Sequence, residues 1–230
     1  METTLQKDIT RTSAETKKML SISREMGNTS SEITALLVAA QAHYSVKDNE
    51  QCATYTEEAI RRSEAEMEKG ELSGYHTWKA CMMLKGALLS AKRKWEQAIL
   101  VYENLAEKAK AHSDVFFIME GYRISGHLYY LRGRLQAALE NSLLALVAGS
   151  YLDRKMIRES TFLHAAYVAL FIARKTKTEP EVTALEAQLA EWVGDDWRDL
   201  IDDSEVQKTI VRPKGKLAMA FSREKERPII

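Results

Sequence analysis

The chain has 230 residues, 45% of them apolar and 29% charged, with 33 basic residues against 33 acidic ones. That length can bury a sizeable core, and the composition argues against a disordered chain. Balanced charge gives no reason to expect nucleic acid or an anionic membrane as a partner.

Only three prolines and ten glycines interrupt the sequence. Long segments of helical apolar spacing lie between them, so an all-α protein is expected. The opening METTLQKDIT lacks the apolar core of a secretory signal, which suits a cytoplasmic protein. The most apolar run, Phe162 to Ala173, has His164 inside it and is far shorter than the ~20 residues of a membrane span, so it reads as a buried helix. Cys52 and Cys81 sit inside helical patterns and read as buried reduced thiols rather than a disulfide.

Residues 1–29 form the first segment. Leu5, Ile9, Thr12, Thr16, Met19, Ser23 and Met26 predict an amphipathic helix over 2–26 that Gly27 ends. Three hydroxyl residues interrupt its stripe, so it either packs at the edge of the fold or serves as an arm for a partner, a second copy included. Thr29 and Glu32 have the spacing of a capping box. The helix they open runs to about Val46, with Ile33, Leu36, Leu37, Ala40 and Tyr44 inward. A helix from Glu50 to Lys69 follows, and then a loop bracketed by Gly70 and Gly74. Tyr75 to Lys92 carries Trp78, Cys81, Met82, Gly86 and Leu89 inward. Trp95 to Ala111 carries Ala98, Tyr102, Leu105 and Ala109.

Ser113 and Asp114 can cap the next helix, which ends at the turn Leu131-Arg132-Gly133. The following helix places Leu135, Ala138, Ser142 and Ala145 on one stripe and ends near Gly149. Asp153 can cap a helix over 154–175. Thr178-Glu179-Pro180 starts another that closes near Gly194, since proline suits a first helical turn. These helices make a domain over 30–194. Residues 195–230 differ in character: an acidic segment precedes a basic one, with a short helix expected near 196–209 and an extended tail beyond.

Small residues recur at a fixed interval. Gly86 and Gly126 lie 40 residues apart, as do Ala98 and Ala138, and a further 40 reaches Ala166. Small residues at a constant period in paired helices mark a solenoid. Gly126, Tyr129, Gly133, Ala138 and Ala145 occupy the small, aromatic, turn-glycine and alanine slots of one unit. On these residues the chain resembles the tetratricopeptide repeat family, in a form with longer repeats. The unit at 79–112 fits at Gly86 and Ala98 and departs at Leu89 and Arg93, where the family has an aromatic residue and a glycine.

The resemblance implies about four antiparallel helical hairpins wound into a right-handed superhelix, whose first helices line a concave groove. The family's groove offsets fall on Glu120, Arg123, His127 and Tyr130 in the best unit, on Met83 in the one before, and on Tyr167 and Leu170 in the one after. Aromatic residues and arginine are the side chains that anchor interfaces. Tyr130 and Tyr167 can equally serve to pack one repeat on the next. The implied function is a non-enzymatic adaptor, scaffold or chaperone that holds a protein segment or peptide. The alternative is a peptide-sensing regulator. The tail at 211–230, with Leu217, Met219 and Phe221, offers a second docking arm.

Catalytic and metal-binding patterns are not found. The sequence has no H-E-x-x-H, no C-x-x-C and no glycine-rich phosphate loop, so neither a cofactor nor a metal is expected. His127 reads as a hydrogen-bonding groove residue rather than a ligand or base.

Overall fold

The computed structural model describes residues 4–157 and 160–202. Among them the chain is all-helical: α1 Thr4–Glu25, α2 Thr29–Ser45, α3 Asn49–Glu68, α4 Leu72–Ala91, α5 Trp95–Ala111, α6 Val115–Leu131, α7 Leu135–Gly149, α8 Arg154–Ile157, α9 Ser160–Thr176, α10 Glu179–Val193 and α11 Trp197–Asp202. Of the helix expected over 154–175, residues 154–157 and 160–175 are described, and all of them are helical. The expected tail at 211–230, and the end of the helix sought near 196–209, lie outside the described residues.

One connection recurs along the chain. After α1 through α6 the middle residue of the turn has a positive φ: Gly27, Lys47, Gly70, Arg93, Ser113 and Gly133. At the last five of these, that residue's N–H bonds a carbonyl three residues back, and the next N–H reaches one five residues back, as in Gly133 to Tyr130 and Arg134 to Tyr129. These bonds close the helix end and launch the next helix. Arg93, which breaks the turn-glycine pattern in sequence, adopts the glycine's conformation all the same, at φ 56°.

Side chains complete several caps. Asn28, one residue before the expected Thr29, accepts from Ser31 N at 3.0 Å. Glu32 is therefore free of the cap and binds Arg24 at 2.9 Å and Arg62 at 2.5 Å, tying α1, α2 and α3 together. Asp114 and Asp153 cap α6 and α8 as expected. Thr178 and Glu181 form the capping box of α10, with Pro180 in its first turn. The Thr178 N–H and hydroxyl hold the Glu181 carboxyl below its usual range.

Contacts cluster into two compact units, Met1–Val101 and Tyr102–Ile230. In the first, α2 packs on α1, α3 and α4, and α3 packs on α4. Its core holds Leu20, Ile33, Leu36, Cys52, Ala59, Trp78 and Cys81. Among the described side chains of α1 the buried large apolar one is Leu20, not Met19, and Thr12, Thr16 and Ser23 are buried as well. Thr16 and Ser23 return their hydroxyls to carbonyls of their own helix, which lets polar residues face a core.

His43, not Tyr44, points inward from α2. Its Nδ1 lies 2.9 Å from Asp48 Oδ2 and its Nε2 3.3 Å from Thr16 Oγ1. Asp48 also caps α3 through Gln51 N. This buried chain of hydrogen bonds links α1, α2 and the start of α3, and it leaves Tyr44 exposed. Gly74, expected in a loop, is buried within α4. A Cβ there would lie 2.7 Å from the Ser63 carbonyl, so its role is close helix packing. Both cysteines are free and buried, and burial pushes the Cys81 thiol up to about 12.

In the second unit α6 packs on α7 and α9, α7 on α9, and α9 on α8, α10 and α11. One apolar cluster runs through it, with Met119, Leu146, Phe162, Ile172, Leu189 and Val193 at its centre.

Candidate functional site

The expected binding face of the second unit comes from α6 and α9. The three- and four-residue steps from Glu120 to Arg123, His127 and Tyr130 set these side chains along one side of α6. On α9 the same reasoning brings His164, Tyr167 and Phe171 into line.

Arg123 is the hub. Its Nε and Nη2 donate to the Glu120 carboxylate at 3.1 and 2.7 Å, a two-point pairing, and its Nη1 lies 3.5 Å from His164 Nδ1. His164 and His127 meet edge to face, with ring centroids 5.1 Å apart. Burial, and then the Arg123 charge, pushes His127 down to about 4 and His164 to about 3. Both imidazoles are therefore neutral near pH 7 and act as hydrogen-bonding and packing groups there. His127 Nδ1 is buried and has no hydrogen-bond partner among the described residues.

An aromatic group adjoins them. The Tyr130 ring meets Phe171 edge-on at 5.7 Å, Phe171 stacks on Tyr167 at 6.2 Å, and Lys175 Nζ lies 3.9 Å from the Phe171 centroid. A cation over an aromatic face is attracted by the ring's quadrupole.

The candidate residues fall into two kinds. Arg123, His127 and Tyr167 are partly exposed, whereas Glu120, Tyr130 and Leu170 are buried. Met83 is half-buried on α4, in the first unit. His164 and Phe171 belong to the constellation although neither was among the expected groove residues. His164 lies 41 residues after Arg123, close to the 40-residue interval, and that spacing was the available signal.

The residues expected to pack the repeats are in close quarters. A Cβ on Gly126 would lie 2.9 Å from Ser142 Oγ and 3.2 Å from the Ala138 carbonyl, so α6 and α7 touch there at backbone distance. Gly86, Ala98, Ala138, Ala145 and Ala166 are buried. Tyr129 reaches Glu103 Oε1 of α5 at 2.9 Å, and Gly133 takes the left-handed turn position. Gly121, outside the expected set, makes the corresponding approach to α5, where its Cβ would lie 2.6 Å from the Tyr102 carbonyl.

A second open feature lies in the first unit. Met19 and Ile22 of α1, Met26 in the turn after it, and Ala35 and Val38 of α2 line a groove of about 630 Å³. Among the described residues no three His, Cys, Asp or Glu side chains gather to hold a metal ion. No described helix is long and apolar enough to cross a membrane. Comparison with known proteins brought no match, whether to a family model, to a curated protein or to a solved structure.

Proposed function

We propose that the chain is a tetratricopeptide-like helical repeat protein that holds a segment of another protein or a peptide. In this reading α2–α3, α4–α5, α6–α7 and α9–α10 are antiparallel hairpins of a right-handed superhelix. The protein works as an adaptor, scaffold or chaperone in the cytoplasm and performs no catalysis. The observation that carries the reading is that first helices of successive hairpins pack directly on each other, α2 on α4 and α6 on α9. Such a layer of first helices is the surface on which helical repeats bind their partners. Arg123, His127 and Tyr167 supply its partly exposed side chains in the second unit.

The test compares proteins captured from a lysate of the source cells by the wild-type chain and by an Arg123→Glu/Tyr167→Ala variant. Both baits are first matched for helicity and melting temperature. The expected result is a defined set of captured proteins reduced at least about tenfold by the double substitution. That factor corresponds to about 1.4 kcal/mol, a modest value for two anchoring residues. Retention of every captured protein at the wild-type level would remove the first-helix face as the binding surface.

A further inference from the structure

The connections at Gly27, Gly70 and Ser113 recur every 43 residues. These turns follow α1, α3 and α5 and lead into α2, α4 and α6, so α1 stands in the register of α3 and α5. Within the first unit, α2 packs against both α3 and α4. A shift of 43 residues carries α3 back onto α1 and α4 back onto α2. The surface that α2 covers on α3 and α4 therefore has a counterpart on α1 and α2, and no described helix occupies it.

Corresponding positions differ as this register requires. Cys81 of α4 is 0% exposed, whereas its counterpart Val38 is 43% exposed. Arg62 of α3 is held by Glu32 of α2, and its counterpart on α1 is Met19. Ile22 and Met26, at 49% and 66% exposed, continue the apolar lining of the groove described above.

We propose that this groove is a docking site for an amphipathic α-helix of another protein, seated on α1 and α2 as α2 is seated on α3 and α4. The interface is a continuation of one already present in the unit. Its chemistry specifies the occupant: where α2 presents Glu32 to Arg62, the incoming helix presents an apolar side chain to Met19. Apolar residues at helical spacing then follow toward Ile22, Val38 and Met26. A volume of about 630 Å³ accommodates several large side chains. The interface that this one continues is made by a single helix, α2 on α3 and α4, so a single helix and not a second folded copy is its occupant. Glu15 and Lys18, one acid and one base, also line the groove, so pattern and not net charge selects the helix.

The probe is a fluorescein-labelled, end-capped peptide of alanine, lysine and glutamate with leucines at i, i+4, i+7 and i+11. Its control has the same composition in scrambled order. Anisotropy titrations use the full chain and its Val38→Glu and Leu72→Glu variants, each checked by thermal melting. Val38 and Leu72 are both exposed, so neither change should unfold the protein. The expected result is saturable binding of the patterned peptide, weakened at least tenfold by Val38→Glu. Leu72→Glu, outside the groove, leaves binding unchanged. The proposal is overturned if the patterned peptide does not bind, if the scrambled peptide binds equally, or if Val38→Glu has no effect. It is also overturned if sedimentation shows the chain alone forming a dimer that Val38→Glu dissociates, which would assign the groove to a second copy.

Discussion

His127 and His164 are neutral because the second unit has largely removed them from water and placed a guanidinium beside them. The cost of charging them sets a pH dependence. Their folded values, about 4 and about 3, lie below the ordinary 6.5, so the unfolded chain binds more protons than the folded one as pH falls below about 6.5. Stability is then complete above that pH and declines as pH falls toward the folded values. The slope approaches about 1.4 kcal/mol per pH unit for each histidine. Urea midpoints of the wild type at pH 7.5, 6.0 and 5.0 are expected to fall, and to fall less steeply in His164→Asn. An unchanged slope in that variant would show that His164 is not a source of the effect. This polar cluster was half-legible in the sequence. Helical offsets place Glu120, Arg123, His127 and Tyr130 on one side of a helix, but they do not say which neighbour covers each position. Glu120 and Tyr130 lie under that cover, and Arg123 lies at its edge. The same limit explains His43 and Tyr44: hydropathy favours tyrosine inside, while the hydrogen bonds from Thr16 and Asp48 that admit a histidine come from other elements.

The helices owe their limits to turn chemistry more than to apolar periodicity. Lys47, Arg93 and Ser113 adopt the left-handed conformation that Gly27, Gly70 and Gly133 adopt without hindrance. A side chain there costs about 1–2 kcal/mol. Replacing Lys47 or Arg93 by glycine is therefore expected to raise stability by up to about 1 kcal/mol, the gain being reduced by the greater freedom of the unfolded chain. Gly133→Ala is expected to lower stability by a similar amount. Guanidinium midpoints of the three single variants check both signs, and a destabilised Arg93→Gly would mean that the Arg93 side chain itself matters more than its backbone. The turns were legible as positions because polar residues and glycines cluster there. Their shared conformation was not, since three of the six lack glycine. Gly74 was misplaced for a related reason. A glycine signals either a turn or a close approach, and only the packing of α4 on α3 shows that here it is the approach. The capping box at Thr29 shows a third kind of ambiguity. Asn28 caps at least as well as threonine, and Glu32 serves better as a partner for two arginines than for a backbone N–H.

At the scale of the chain, a turn that recurs after α1 through α6 and helices of 17 to 22 residues between these turns produce the register on which the groove proposal rests. Repeat proteins gain stability from each element and its immediate neighbours, so damage stays local when neighbouring elements are energetically independent. The two compact units give that principle a concrete form here. Leu146 is fully buried on α7, within the cluster that α6, α7, α9 and α10 share. Leu146→Ala removes a well-packed side chain and is expected to cost about 2–5 kcal/mol in that unit. Hydrogen exchange read peptide by peptide should then quicken across α6, α7, α9 and α10 while the amides of α2, α3 and α4 keep their protection. Ile33→Ala, in the core of the first unit, should produce the reverse pattern. Equal loss of protection along the whole chain in either variant would mean that the units fold as one cooperative body. In that case a ligand on α1 and α2 would stabilise α6 and α9 as well, and the two binding surfaces would be thermodynamically coupled rather than independent.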